Sequence, residues 1–574
     1  MKYKLKQSNY NGSALYKVLL NRGITDPQHY LNTTDNDIIN PEIIKNVPEA
    51  AKKLVYHIAK GHDIFVNVDA DCDGFTSAAF FINWMFRNFP GFTLNHVKWG
   101  FHLDKGHGLL MNQILADKPQ LVVCPDAGSD EYPLHQILSE NNIDLIIIDH
   151  HNADHYSEYA TVINNQLDQN YSNKTLSGVG MVYKFCSYLD KLLTTDNANS
   201  LLDIAALGII ADVMLLTELE TRHIIDKGIN NIENPFIKAM IAKNEYSFKD
   251  GITPTSIAWY IAPAVNAITR MGTIPEKQTL FNALLEFKAY DQIPSTKRGH
   301  SVGEMETYVE QAVRVCSNVK RRQDKLRDEE FFNIIELIDS QHLLENKILV
   351  VRLENSTELS RSITGLIANK LMSTYNRPVL LLNKQEDNTW AGSARNNPNN
   401  GLPSIQNFVR ESELAIYASG HDNACGVAFL DKNLKDFIKY ANQKLANINF
   451  ESCYDVDLEY LPQKIDTNDI LELADASWIW GQGVEEPLVA LKKVTVTPEN
   501  IQLFGGSTLK FTLPDNLSAV KFKSSQEEYE KLIPEDGMAT SLNIIGTCVR
   551  NTWWDNGPEI IIKDYEILGT EWYF

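Results

Sequence analysis

Three carboxylates at alternate positions, Asp69, Asp71 and Asp73, follow directly on the apolar run Ile64-Phe65-Val66-Asn67-Val68 and lead into Gly74. Acids this close repel one another unless a cation sits among them, which makes the triplet a candidate metal cradle. The same letters open an EF-hand loop, but position twelve of that loop falls on Phe80 rather than Glu, and the preceding segment reads as strand rather than helix. Taken alone, the motif also fits a solvated acidic turn. Two further apolar runs end in reactive residues: Leu121 to Cys124 leads to Asp126-Ala127-Gly128, and Leu145 to Ile148 leads to Asp149-His150-His151. A polar turn explains one such junction and explains three poorly. The run Leu207 to Ala211 adds Asp212. Oxygen donors from Asp69, Asp71, Asp73, Asp126 and Asp212, together with imidazole nitrogens, form the ligand set of a two-metal site for manganese or magnesium. The imidazole share favours manganese.

Positioning these residues calls for an α/β fold. Buried parallel strands deliver loop residues to one carboxyl edge of their sheet, and the segment Phe75 to Phe89 reads as a helix packing back on it. Helices at Leu15 to Ile24 and Ala50 to Lys60 form an expected helical collar over 1–60. The loop Phe101 to Leu109, with Gly106 and Gly108, suits backbone approach to a ligand or a tight turn. Ser177-Gly178-Val179-Gly180 reads as the start of a glycine-bearing helix or as plain connection. The segment Ile261 to Gly272 closes the first large domain, 61–290, and a charged helical stretch over 291–345 connects onward.

A second, smaller α/β domain is expected over 346–450. Its polar signals are Gly392-Ser393-Ala394-Arg395 and Gly420-His421-Asp422-Asn423-Ala424-Cys425-Gly426, which suit an anion pocket or, singly, turns. From 451 to 574 the pattern turns to five short β runs with interspersed aromatics. These fit a small β-barrel of the oligonucleotide-binding (OB) kind, in which Trp553, Trp554, Lys521 and Lys523 are candidates to meet bases and phosphates.

The 574 residues suffice for several domains, each with its own core. Seven scattered cysteines, none in C-x-x-C spacing, predict reduced thiols and a cytoplasmic protein without a zinc ribbon. No apolar run reaches membrane-spanning length, so no membrane partner is expected. The net charge of −21 argues against broad non-specific nucleic-acid binding, although local basic clusters still grip phosphates.

With these motifs assembled, the chain resembles the RecJ-type single-stranded-DNA exonucleases of the DHH phosphoesterase superfamily. The resemblance rests on Asp69 to Gly74, Asp126-Ala127-Gly128, Asp149-His150-His151, Ser177 to Gly180, Ala211-Asp212, Gly392 to Arg395, Gly420 to Gly426 and Gly481 to Pro487, in that order. It implies a parallel-sheet DHH domain and a DHHA1 domain joined by a long helix, followed by an OB-like barrel. It also implies stepwise 5′-to-3′ hydrolysis of single-stranded DNA to mononucleotides in replication, recombination or repair, with two Mn2+ or Mg2+ ions. On matching positions, Asp71, Asp73, Asp126, His150 and Asp212 would hold the metals, with Asp69 a ligand or its support. Asp126, His150 and His151 would be catalytic, with His151 on the scissile phosphate. Ser393, Arg395 and His421, aided by Arg270, would cradle phosphate. A helicase or single-strand-binding protein is the partner class implied. Related readings are a phosphodiesterase of short oligonucleotides or cyclic dinucleotides and a non-catalytic replication accessory. The chain departs from the family at His102 and Ala264, where arginines are usual.

Overall fold

The apolar run Ile64–Val68 is a strand buried along its whole length. It lies in a five-stranded sheet ordered Val97–Phe101, Ile64–Val68, Leu121–Pro125, Asp144–Asp149, Thr161–Asn164, with every pairing parallel. Helices cover such sheets, which is why these strands read as continuous rather than alternating apolar runs. The chain leaves Ile64–Val68 towards one neighbour and returns to the other. The order therefore switches between Ile64–Val68 and Leu121–Pro125, the place where loops at the carboxyl ends diverge and open a crevice. Asp69 and Asp126 follow these two strands. The computed structural model describes residues 1–6, 10, 12–103, 106–354, 362–450, 453–461, 464–533, 538–552 and 556–572.

Helix Cys72–Asn88 begins earlier than the apolar pattern alone suggests, because Asp71 caps it by accepting from the Gly74 amide at 2.9 Å. The apolar run before Asp212 is the helix Leu202–Ala211, buried on all sides, so Asp212 stands at a helix C-terminus. The collar helices Ala14–Asn21 and Val47–Lys60 are present, the second closed by Gly61 at φ 67°. A wholly helical collar is corrected, however: Lys2–Leu5 is a strand that pairs in parallel with Cys453–Val456. Arg22 fastens the same seam through two bonds to Asp457, 2.7 and 2.9 Å. A lone strand whose partner lies at the far end of the chain leaves no local signature.

The segment read as a helical connector opens with a small hairpin, Gln292–Pro294 against Met305–Thr307. The 33-residue helix Tyr308–Ser340 follows, started by a capping box between Thr307 and Glu310. The second α/β unit carries a sheet ordered Ala415–His421, Ala424–Leu430, Thr389–Arg395, Val379–Lys384, Leu349–Leu353, in which only the last pair is parallel. Gly392 to Arg395 is therefore strand and not turn.

In place of five short strands, the carboxyl-terminal region forms a seven-stranded sheet dominated by Met538–Arg550 and Pro558–Trp572. Register shifts at Ser541/Leu542 and Ile545/Gly546 interrupt this long ladder. Trp553 and Trp554 lie outside the described residues, and Lys521 is paired with Glu528 at 3.0 Å. Among the described residues, no helix is long and apolar enough to cross a membrane.

Candidate active site

The strand ends converge as their shared edge requires. Among the described residues, three donor sets lie close enough to share an ion: Asp69, Asp71 and Asp126; Asp73, His150 and Asp212; and Asp126, His150 and His151. Nε2 of His150 stands 3.3 Å from Asp126 Oδ1, 3.5 Å from Asp212 Oδ2 and 4.0 Å from Asp73 Oδ2. Asp126 Oδ1 and Asp212 Oδ2 are buried without a hydrogen-bond partner among the described residues. Leaving such oxygens bare costs about 1–3 kcal/mol each, more when charged. The cluster therefore fits divalent cations, whose charge would satisfy both oxygens and an imidazole lone pair together.

Electrostatics agree with the geometry. Burial and the neighbouring acids raise Asp73 to about 7 and push Asp126 and Asp212 well above the usual carboxylate range. Burial, helped by the charge on His151, pushes His150 down to about 3, so its ring is a neutral donor. His151 goes the other way. Partial withdrawal from solvent in the cleft opposes its charge, but the bond from its Nδ1 to Asp149 at 2.8 Å raises it to about 10. Asp149 itself is buried yet held below its ordinary value by the two histidines and by Ser129. It accepts the amides of His150 at 2.7 Å, His151 at 3.1 Å and Ser129 at 3.1 Å. The triplet's aspartate thus anchors both histidines by their amides and keeps the His151 ring charged, while burial leaves the His150 ring neutral.

Several supporting contacts escape a reading by motif. Asp73 is anchored on the start of helix Gly178–Leu193, accepting from Ser177 Oγ at 3.0 Å and from the amides of Gly178 and Val179 at 2.7 and 3.2 Å. The serine ahead of that helix was the available signal. Asp126 has φ 64° and lies against Gly178. A Cβ on Gly208 would lie 2.6 Å from Asp73 Oδ1, so that helix too approaches closely. Both oxygens of Asp69 are engaged, one by His107 Nδ1 at 2.6 Å and one by the Gly108 amide at 3.1 Å, leaving one lone pair on each. The Gly106 to Gly108 loop therefore approaches an acid of the cluster. Asn266 accepts the Cys72 amide at 3.1 Å and ties helix Ala262–Met271 to the cradle.

The residues expected to form an anion pocket gather on the second sheet, except Arg270. Ser393 pairs across Gly426 to Ser419, and Arg395 across Ala424 to His421. Directly opposed residues share a face, so Ser393, Arg395 and His421 point to one side over a floor of small residues. Burial pushes Arg395 down, and the charge of Arg270 adds to the shift. His421 is lowered by withdrawal from solvent in the cleft and by the charges on His151 and Arg395. Arg270, from the helix beside Cys72, feels the charge of Asp71. Cations from both domains thus face one another across the cleft, an arrangement an anion stabilises. At the two positions where the resemblance leads to an expectation of arginine, His102 is bonded to the Gly108 carbonyl at 3.0 Å and Ala264 is buried.

Family models match in the same order: the DHH family N-terminal domain over 63–209, the DHHA1 domain over 345–447 and the RecJ OB domain over 456–564. A Bacillus subtilis SPbeta-prophage protein that carries the name of a single-strand DNA-specific exonuclease, YorK, is 33% identical over 580 residues, covering 100% of this chain and 99% of that one. The chain belongs to the RecJ family. RecJ of Bacillus subtilis, named a single-stranded-DNA-specific exonuclease, is 22% identical over 562 residues, 95% of this chain and 66% of its own. The crystal structure of RecJ from Thermus thermophilus in complex with Mn2+ shares the fold. Its TM-score is 0.73 at 19% identity, covering 96% of this chain and 76% of that one. The RecJ fold therefore spans all three regions, the first two joined here by helix Tyr308–Ser340.

Proposed function

We propose that this chain is a divalent-metal-dependent exonuclease that hydrolyses single-stranded DNA from its 5′ end to mononucleotides. The observation that carries this reading is the pair of bare buried oxygens on Asp126 and Asp212 beside the neutral Nε2 of His150. Support comes from the names of the relatives that match along the full chain.

Asp69, Asp71, Asp73, Asp126, His150 and Asp212 would hold two ions, Mn2+ or Mg2+. Such ions, when bound, supply a water nucleophile at neutral pH and neutralise charge on phosphate. His150 presents a lone pair and no proton. His151, kept charged by Asp149, donates from Nε2 to a phosphate oxygen and holds the diester in place. Ser393, Arg395 and His421, with Arg270, grip phosphate from the facing sheet, so a strand is fixed on both sides of the cleft.

In this reading, 61–290 carries the chemistry, 346–450 the phosphate grip and 451–574 contacts to the strand, while 1–60 and 291–345 brace them. Replication, recombination or repair in the cytoplasm is the setting, with a helicase or single-strand-binding protein as partner. The deciding experiment compares strands labelled at either end in Mn2+. Early release of the 5′ label is expected, and Asp126→Ala abolishes it. Early loss of a 3′ label would reverse the polarity, and preference for dinucleotides over long strands would indicate a phosphodiesterase of short oligonucleotides instead.

A further inference from the structure

One polar side chain interrupts the apolar strand Ile64–Val68. Asn67 is fully buried there. A buried carboxamide is costly unless its donor and its acceptor are both used, and both ends of Asn67 go to one loop. Its Nδ2 donates to the Gly108 carbonyl at 2.9 Å, and its Oδ1 accepts the Leu110 amide at 2.9 Å. The amide between them has another partner. Leu109 donates to Glu131 Oε2 at 2.7 Å, and Glu131 lies five residues after Asp126.

Three successive amides therefore run to three side chains: Gly108 to Asp69 at 3.1 Å, Leu109 to Glu131 and Leu110 to Asn67. All three residues are buried, where backbone must find such partners. Leu109 and Leu110 pack in a small core with Phe65, Val122 and Ala127, which folds the loop over the sheet face that Phe65 and Asn67 share. Gly108 has φ 90°, and a Cβ there would lie 2.5 Å from Glu131 Cδ, so this approach requires a residue without a side chain. On its other side Glu131 is tied to the Asp126 turn. Its amide donates to the Gly128 carbonyl at 3.2 Å, and His135 Nε2 donates to the same carbonyl at 2.8 Å. The turn that carries Asp126 and the loop that grips Asp69 are thereby joined.

We propose that Asn67 and Glu131 are positioning residues for the ion held by Asp69, Asp71 and Asp126. The proposal rests on the two-metal site described under the proposed function. Both residues act through the Gly108–Leu110 backbone: they fix the loop whose His107 ring and Gly108 amide each take one oxygen of Asp69, and so set the direction of its remaining lone pairs. Those lone pairs lie within reach of an ion shared with Asp71 and Asp126. The donor set Asp73, His150 and Asp212 is held differently, with Asp73 anchored by Ser177, Gly178 and Val179. Loss of the clamp therefore falls on one ion of the two.

The test is Mn2+ titration of the chelator-stripped full chain by calorimetry, with the fold of each variant checked by thermal melting. Wild type is expected to take up two ions, and His150→Ala marks the step that belongs to the other donor set. Glu131→Ala and Asn67→Leu are each expected to weaken the remaining step about 10- to 100-fold, the range for partners that orient a metal ligand, and to leave the marked step unchanged. Glu131→Gln still accepts the Leu109 amide and keeps both steps close to wild type. Glu131 is only half-buried, so its variants carry the test even where Asn67→Leu does not fold. Unchanged steps in Glu131→Ala, equal weakening of both steps, or a Glu131→Gln as impaired as Glu131→Ala overturns the clamp. Selective weakening alongside a wild type that does not hydrolyse single-stranded DNA in Mn2+ sinks the exonuclease reading and leaves the clamp standing. A wild type that takes up fewer than two ions overturns the clamp and the two-metal site together.

Discussion

A Cβ placed on Gly178 would lie 2.6 Å from both Cβ and Cγ of Asp126. Helix Gly178–Leu193 comes this near the cluster only because position 178 carries no side chain, and its amides there hold Asp73. Gly178→Ala must therefore push Asp126 or the helix aside, a misplacement on the scale of 1 Å that costs about 100-fold in rate in such sites, and weaker metal binding is expected with it. Mn2+ titration by calorimetry checks this, and wild-type affinity in the variant would show that the contact is dispensable.

Metal binding also sets a pH dependence of stability. The raised values of Asp73, Asp126 and Asp212 mean that the folded, metal-free protein holds protons the unfolded chain has released. Their stabilising contribution is complete below the unfolded value of about 4 and is lost as pH rises through the folded values, near 7 for Asp73. His151, raised to about 10, acts in the same direction above about 6.5. The chelated protein should melt at progressively lower temperature between about pH 6.5 and 8.5. Mn2+ replaces the protons, so the gap between metal-loaded and chelated melting temperatures should widen over that range. A constant gap would remove these acids from the metal site.

End recognition should fall mainly to the second domain, since His102 and Ala264 offer no guanidinium. Arg395→Ala is expected to erase most of any preference for a 5′ phosphate over a 5′ hydroxyl, a loss of roughly 1.5–3 kcal/mol. The readout is the rate ratio on the two substrates in wild type and variant. An unchanged ratio places the terminal phosphate elsewhere.

The collar is held on by a buried ion pair. Lys184 Nζ meets Glu220 Oε1 at 2.5 Å and the Ile39 carbonyl, while Tyr171 and Asn173 donate to Glu220 Oε2 at 2.5 and 3.1 Å. Glu220→Ala leaves a buried ammonium uncompensated and should cost about 3–5 kcal/mol. Lys184→Met together with Glu220→Ala should recover part of that loss. Urea unfolding of the single and double variants separates these outcomes.

The sequence by itself determined what is local. The run Ile64 to Val68 ending in Asp69, Leu121 to Cys124 ending in Asp126 and Leu145 to Asp149 followed by His150 each specify a buried strand with reactive residues at its carboxyl end, because strand burial and loop chemistry are written within a few residues. The parallel sheet then leaves those residues one common edge, so most of the candidate cluster is legible in the order of residues along the chain. Tertiary structure alone decided that the Asp212 run is a helix, that Asp73 is held by Ser177, Gly178 and Val179, and that Asp69 holds His107 and Gly108. It also decided that Lys2–Leu5 pairs with Cys453–Val456 and that the second sheet is mostly antiparallel. Each of these joins positions far apart in sequence. Such contacts form only once the intervening chain has closed its loops, and local periodicity carries no record of which partner a strand or carboxylate will meet.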